Sequence, residues 1–164
     1  MRRQRCVTSG AAIGLLAAAA GLLAAALGAC SRSTPDVAVA APTPAASDRA
    51  GCARLVAALP GSLGPHLDHR VVQPASDYTR AWGRPAVVLR CGVGYPPRYL
   101  PTSTVDEVDG ISWFATQEQD AVVFTAVTRR PRVAVAVPRT YGQAFDVLIS
   151  LSAPVRSTTA ARVR

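Results

Sequence analysis

The sequence predicts an α+β domain, with a mainly antiparallel sheet of four or five strands and two helices packed on one face. Three observations predict it. β-Prone runs at 111–115, 121–127 and 132–137 follow one another through turn-forming residues, the pattern of hairpins in series. Apolar residues recur at helical spacing at Cys52, Leu55, Val56 and Leu59, and again at Tyr141, Ala144, Phe145, Leu148, Ile149 and Leu151. Cys52 and Cys91 read as a disulfide pair that ties the first helix to a central strand.

Upstream of that domain stands a stretch of a different kind. Ala11 to Ala29 is a run of 19 residues without a charge, preceded by Arg2, Arg3 and Arg5. Arginine resists transfer across a bilayer while the apolar run partitions into lipid. The N-terminus is therefore expected to stay cytoplasmic and the remainder to be exported. The run is close to the ~20 residues that span a bilayer, so cleavage and retention as a membrane helix both agree with its length. Its end, Leu27-Gly28-Ala29-Cys30, resembles a bacterial lipobox. That resemblance implies diacylation of the Cys30 thiol, and two or three acyl chains hold a protein on a membrane far more firmly than one. Residues 1–30 are expected to be a signal peptide or membrane anchor. The protein is then expected on the outer face of the cytoplasmic membrane, lipid-anchored at Cys30 or, alternatively, held by a single N-terminal span. Residues 31–50, with three prolines and many small side chains, are expected to be a flexible tether.

All 18 basic residues are arginine; three precede Cys30, which leaves 15 against 10 carboxylates in the exported part, a balance of +5. The arginines are scattered, interleaved with acids and unaccompanied by an aromatic-rich pattern, so no nucleic-acid partner is expected. An acidic envelope polymer or an anionic lipid surface is the expected neighbour. No metal and no cofactor is expected. With Cys6 removed in the signal and Cys30 acylated, Cys52 and Cys91 remain outside the cytoplasm, where disulfides form and persist. The bridge would close a loop of about 40 residues, a contribution of ~3–4 kcal/mol by chain entropy. The rival readings, a metal pair or a redox thiol, lack a further cysteine or well-spaced histidine.

The globular domain is expected over 51–155. Its first helix begins at Asp48 or Gly51 and is stopped by Pro60-Gly61. Gly61 to Pro74 reads as a loop that holds both histidines, in His66-Leu67-Asp68-His69. Two histidines three apart with an aspartate between them suit a metal or acid–base site, and equally a solvated loop. Val87-Val88-Leu89 enters as a strand from a turn at Gly83 and leaves at Gly92. Trp82 is expected to pack at one end of the core, with its indole N–H in need of an acceptor. Arg90 falls on the strand face opposite Cys91. Tyr95 and Tyr99 lie among Pro96, Pro97 and Pro101 in an irregular excursion, where they either stack on a ligand or pack the loop down. Val105 and Val108 precede a hairpin turn at Asp109-Gly110. Asp106, Glu107, Asp109, Glu118 and Asp120 gather acids at turns without the spacing of a calcium loop. The last helix is capped by Thr140 and ended by Pro154, and residues 156–164 are expected to fray.

The set C-x-x-L-x-x-x-L-P from Cys52 to Pro60, A-W-G-R-P-A-V-V-L-R-C-G-V from Ala81 to Val93, Trp113 and the V-x-V-x-V-P block from Val133 to Pro138 resembles the DUF3515 family. The resemblance covers about Cys52 to Val155, and the W-G-x-P with L-R-C-G segment is its specific part. It implies an exported or membrane-anchored actinobacterial protein of unknown function and carries over no site residue.

No G-x-S-x-G, H-E-x-x-H, phosphate loop or Cys–His nucleophile arrangement occurs in the chain. The function expected is that of a non-catalytic, extracytoplasmic, membrane-anchored module of the cell envelope that binds a protein or an envelope polymer. Trp82, Arg90, Tyr95 and Tyr99 are its candidate binding surface. The alternative is a small extracytoplasmic hydrolase using His66, Asp68 and His69, with Ser62 or Ser76 as nucleophile.

Overall fold

The structure is a computed structural model and describes residues 35–162. The apolar run and Cys30 lie outside the described residues. In chain order the elements are Val37–Ala38 (β1), Ala46–Ala58 (α1), His69–Arg70 (β2), Val72–Gln73 (β3), Thr79–Trp82 (β4), Val87–Cys91 (β5), Asp106–Val108 (β6), Ile111–Gln117 (β7), Ala121–Ala126 (β8), Arg129–Arg130 (β9), Val133–Pro138 (β10), Ala144–Thr158 (α2) and Ala160–Ala161 (β11). Among the described residues no helix is long and apolar enough to cross a membrane.

Seven strands form one sheet in the order β2-β4-β5-β10-β8-β7-β6, and every neighbouring pair is antiparallel. The class is α+β as expected, but the sheet is larger than four or five strands. The reason is local. β2 and β6 are edge strands of two and three residues with polar sequences, and β4 is a four-residue strand whose alternation Arg80 disguises. Such segments carry no period-2 apolar signal and are ordered by their longer neighbours.

Packing follows the alternation along each strand. Val87, Leu89 and Cys91 on β5, Val133, Val135 and Val137 on β10, Phe124 and Ala126 on β8, and Ile111 and Trp113 on β7 point to one side. They join Cys52, Leu55 and Val56 of α1 and Val147, Leu148, Leu151 and Val155 of α2 in a single core. Neither helix has a side-chain N-cap, so it is this burial that holds them. Cys52 and Cys91 are bonded, with Cα atoms 5.4 Å apart, and staple α1 to β5.

The chain ends differ from expectation. Val37–Ala38, within the stretch read as a tether, pairs in parallel with Val72–Gln73, and the Arg70 guanidinium donates to the Pro35 carbonyl. α1 then starts at Ala46, ahead of Asp48 and Gly51. At the other end α2 starts at Ala144, not near Thr140, and runs through Pro154 to Thr158, because Val155 continues the buried stripe of Val147, Leu148 and Leu151. Burial there outweighs the backbone bond that Pro154 removes. With the helix set in this way Phe145 and Ile149 face outward, 48% and 52% exposed. Residues 160–161 do not fray: they pair with Arg130 and Arg129.

The distinctive W-G-R-P and L-R-C-G stretch is for the most part a folding device. Trp82 is fully buried, and its indole N–H donates to the Pro60 carbonyl at 2.9 Å. Gly83 has φ +70°, and a Cβ there would sit 2.5 Å from Leu67 and 2.7 Å from the Tyr141 hydroxyl, which itself donates to the Pro85 carbonyl. Gly92 has φ +81° and lets Pro44 approach to where a Cβ would be 2.5 Å away. Arg90 and Val88 point away from the core, and Arg84 at the turn is exposed.

Candidate functional site

Residues paired directly across antiparallel strands share a face. On the side of the sheet away from the helices, the register therefore lines up Thr79, Arg90, Ala134, Thr125 and Phe114 in one row across β4, β5, β10, β8 and β7. The next row is Ala81, Val88, Ala136, Val123 and Thr116. β10 places its valines in the core and its alanines here, so the middle of this face is low. Larger side chains stand on either side.

The result is a trough of about 250 Å³. Ala134 is its floor, Arg90 and Thr125 flank it, and Thr116 and Glu118 stand beyond. Val93, Gly94, Pro96 and Pro97 of the following loop make its wall. A second cavity of about 420 Å³, lined by Arg98, Ser103, Phe114 and Gln117, shares Thr116 with the first.

The polar groups of the trough are short of partners. Arg90 makes no side-chain hydrogen bond or ion pair among the described residues. Arg70, Arg80, Arg132 and Arg139, by contrast, each donate to a backbone carbonyl. The Glu118 carboxylate forms no ion pair among the described residues, where Arg130 with Asp48 at 3.0 Å is the salt bridge found. Thr116 Oγ1 and Thr79 Oγ1 are buried without a hydrogen-bond partner. A buried hydroxyl is normally paired, and Trp113 Nε1, Arg80 Nε and Arg132 Nε share this lack of a partner elsewhere in the domain.

The four candidate binding residues separate into three groups. Trp82 is no part of a binding surface: it sits in the core under the helices, because its partner Val87 across the ladder faces that side. Arg90 reaches the open face as its position beside Cys91 predicts. Tyr95 and Tyr99 lie on the loop that walls the trough, stacked on each other at 5.2 Å, with Tyr99 edge-on to Phe114 at 5.3 Å and the Arg132 guanidinium 3.4 Å from the Tyr95 ring centre. This ladder pins the loop to the sheet, since its ring faces are occupied by one another and by Arg132. Thr116, Thr125 and Ala134 were not singled out from the sequence, and Glu118 was noted only among the acids at turns. The signal was the V-A-V-A-V alternation of β10, which announces a face of small residues as clearly as a face of large ones.

The histidine loop is arranged otherwise. His66 is exposed in a turn with φ +63°, and its ring makes no hydrogen bond among the described residues. His69 Nε2 lies 3.1 Å from Arg80 Nη1. Arginine only donates, so the neutral His69 ring accepts there through Nε2. Burial, then the Arg80 charge, hold its pKa below the ordinary value. The Ser62 hydroxyl is bonded to Gly64 and the Ser76 hydroxyl accepts from the Tyr78 N–H, so both serve local turns. A cavity of about 450 Å³ beside this loop is lined by Leu63, Leu67, Tyr141 and Asp146, with neither histidine in its wall. Among the described residues no group of three or more His, Cys, Asp or Glu is placed to hold a metal ion.

A family model described as "Protein of unknown function (DUF3515)" matches residues 10–163, beyond the segment from Cys52 to Val155 at both ends. No curated protein and no solved structure matches the chain.

Proposed function

The chain belongs to the DUF3515 family of proteins of unknown function, and from that premise we propose that it is a non-catalytic module of the cell envelope that binds a protein or an envelope polymer on the open face of its sheet. It works outside the cytoplasm, held at the outer face of the membrane through Cys30 or through the apolar run. The disulfide between Cys52 and Cys91 supports an oxidising compartment. The N-terminal arginines, the apolar run and the lipobox-like Leu27 to Cys30 support the anchor.

The observation that carries the binding reading is Arg90. It lines a concave face, and its side chain has no acceptor among the described residues. A guanidinium so placed offers a planar fork to an anionic or carbonyl-bearing group. The hydrolase alternative draws less support: Ser62 and Asp68 pair across an isolated antiparallel bridge, but no side-chain hydrogen bond joins His66, Asp68, His69 and either serine among the described residues.

The test is site-specific photocrosslinking of the full chain in the envelope of its host or a relative, with the photoreactive residue at position 98. The expected result is a discrete adduct that disappears with Arg90→Ala at an unchanged melting temperature. An adduct indifferent to Arg90→Ala, or none from a folded and exported chain, overturns the reading.

A further inference from the structure

Resting on that reading, we propose that the trough takes a short peptide end to end, with its free carboxylate on Arg90 and its amino group on Glu118. Two opposite charges line one small cavity and form no ion pair with each other. The sheet keeps them apart: Arg90 is on β5 and Glu118 follows β7, with β10 and β8 between, so three ladder spacings of ~4.8 Å separate their backbones. A ligand that satisfies both must carry both signs at its two ends.

The rest of the trough agrees with a peptide. The Thr116 hydroxyl, buried without a partner, and Thr125 stand between the two charges, where a backbone amide of the ligand would lie. Ala134 beneath and Pro96 and Pro97 beside them are small and apolar, suited to hydrogen or methyl side chains. A volume of about 250 Å³ is below the usual ~300–1,000 Å³ of pockets for drug-sized ligands, which favours two or three residues. A sugar chain fits less well. Sugars are held by stacking on free aromatic faces, and those of Tyr95 and Tyr99 are taken by Arg132 and by each other.

The experiment is a titration of the isotope-labelled full chain in detergent, followed by amide chemical shifts. The probes are glycylglycine, its N-acetyl form and its C-terminal amide, with L-alanyl-L-alanine as a second zwitterion. The expected result is saturable shifts at Thr116, Thr125 and Ala134, with each blocked form at least tenfold weaker than glycylglycine. Arg90→Gln should erase the discrimination against the amide, and Glu118→Gln the discrimination against the acetyl form. Equal binding of blocked and free peptides overturns the proposal, and needs no variant to do so. Absence of peptide shifts together with Arg90-dependent crosslinks overturns the peptide and leaves the binding face standing. Absence of both removes the two together.

Discussion

Two faces of one sheet meet in strand β10, and they are built to opposite ends. Val133, Val135 and Val137 enter the core under α1 and α2, while Ala134 and Ala136 from the same six residues face the other way and Ala134 floors the trough. Period-2 geometry lets a single strand do both. On the covered face volume is filled, the Trp82 indole finds an acceptor although that of Trp113 does not, and a disulfide locks the layers. On the open face volume is withheld, and Arg90, Glu118, Thr79 and Thr116 keep unused hydrogen-bonding capacity. A face that only had to meet water would not need a low floor walled by a pinned loop. The contrast separates what makes the fold from what the fold presents.

The largest effect expected is from unlocking the covered face. Cys52→Ser with Cys91→Ser opens a crosslink spanning 39 residues of sequence, and chain entropy puts the loss at ~3–4 kcal/mol. Chemical denaturation of the oxidised wild type against the double variant measures it. A loss under about 1 kcal/mol would mean that packing alone fixes α1 on β5, and would weaken the division between the faces.

The next effect compares neighbours. Val135→Ala removes two methyl groups from a fully buried site, at a cost of about 2 kcal/mol. Ala134→Leu adds volume on the other side, where the trough has room, and should change stability by less than about 1 kcal/mol while it abolishes crosslinking at the open face. Melting curves and the crosslinking assay on the two variants read both properties. Equal destabilisation by the two substitutions would show that the trough is closed in solution.

Sequence periodicity carried the covered face well, because burial leaves a pattern. The strands at 87–91, 111–117, 121–126 and 133–138 and the first helix all show one. Where order comes from partners rather than pattern it was not legible. Val37–Ala38 and Ala160–Ala161 are two-residue strands made by Val72–Gln73 and Arg129–Arg130, and neither sequence would be a strand alone. Pro154 reads as a stop and is overruled by Val155 in the core. The open face was half legible. Arg90 followed from its place beside Cys91, but Thr116, Glu118 and Thr125 are joined to it only by the register of four strands. Trp82 was read both as a core residue in need of an acceptor and as a binding residue, because an aromatic side chain suits a core and a surface equally, and the core role is the one the structure shows. Gly83 and Gly92 show the same point in reverse: their roles lie in Leu67, Tyr141 and Pro44, none adjacent in sequence.

The smallest effect lies at the margin of the covered face, where Arg80 links two elements. Its Nη2 donates to the Val56 carbonyl at the end of α1 at 2.9 Å, and its Nη1 donates to His69 Nε2 on the edge strand at 3.1 Å. Protonating His69 replaces that acceptor with a cation facing a cation. The folded pKa is therefore below the ordinary 6.5, through burial first and Arg80 second. A depressed histidine pKa means that the unfolded chain binds more protons in the window below 6.5, so stability rises with pH there. Stability should thus be level above that window, decline shallowly as pH falls below it, and level off once the folded form is also protonated. His69→Gln keeps an amide oxygen for Arg80 and removes the titration. The difference between wild-type and variant stability from pH 7 to 5 should then follow one proton, which denaturation at a series of pH values resolves. A difference that stays flat, or grows in the wild type's favour as pH falls, would detach His69 from the Arg80 link and leave α1 held at that end by packing alone.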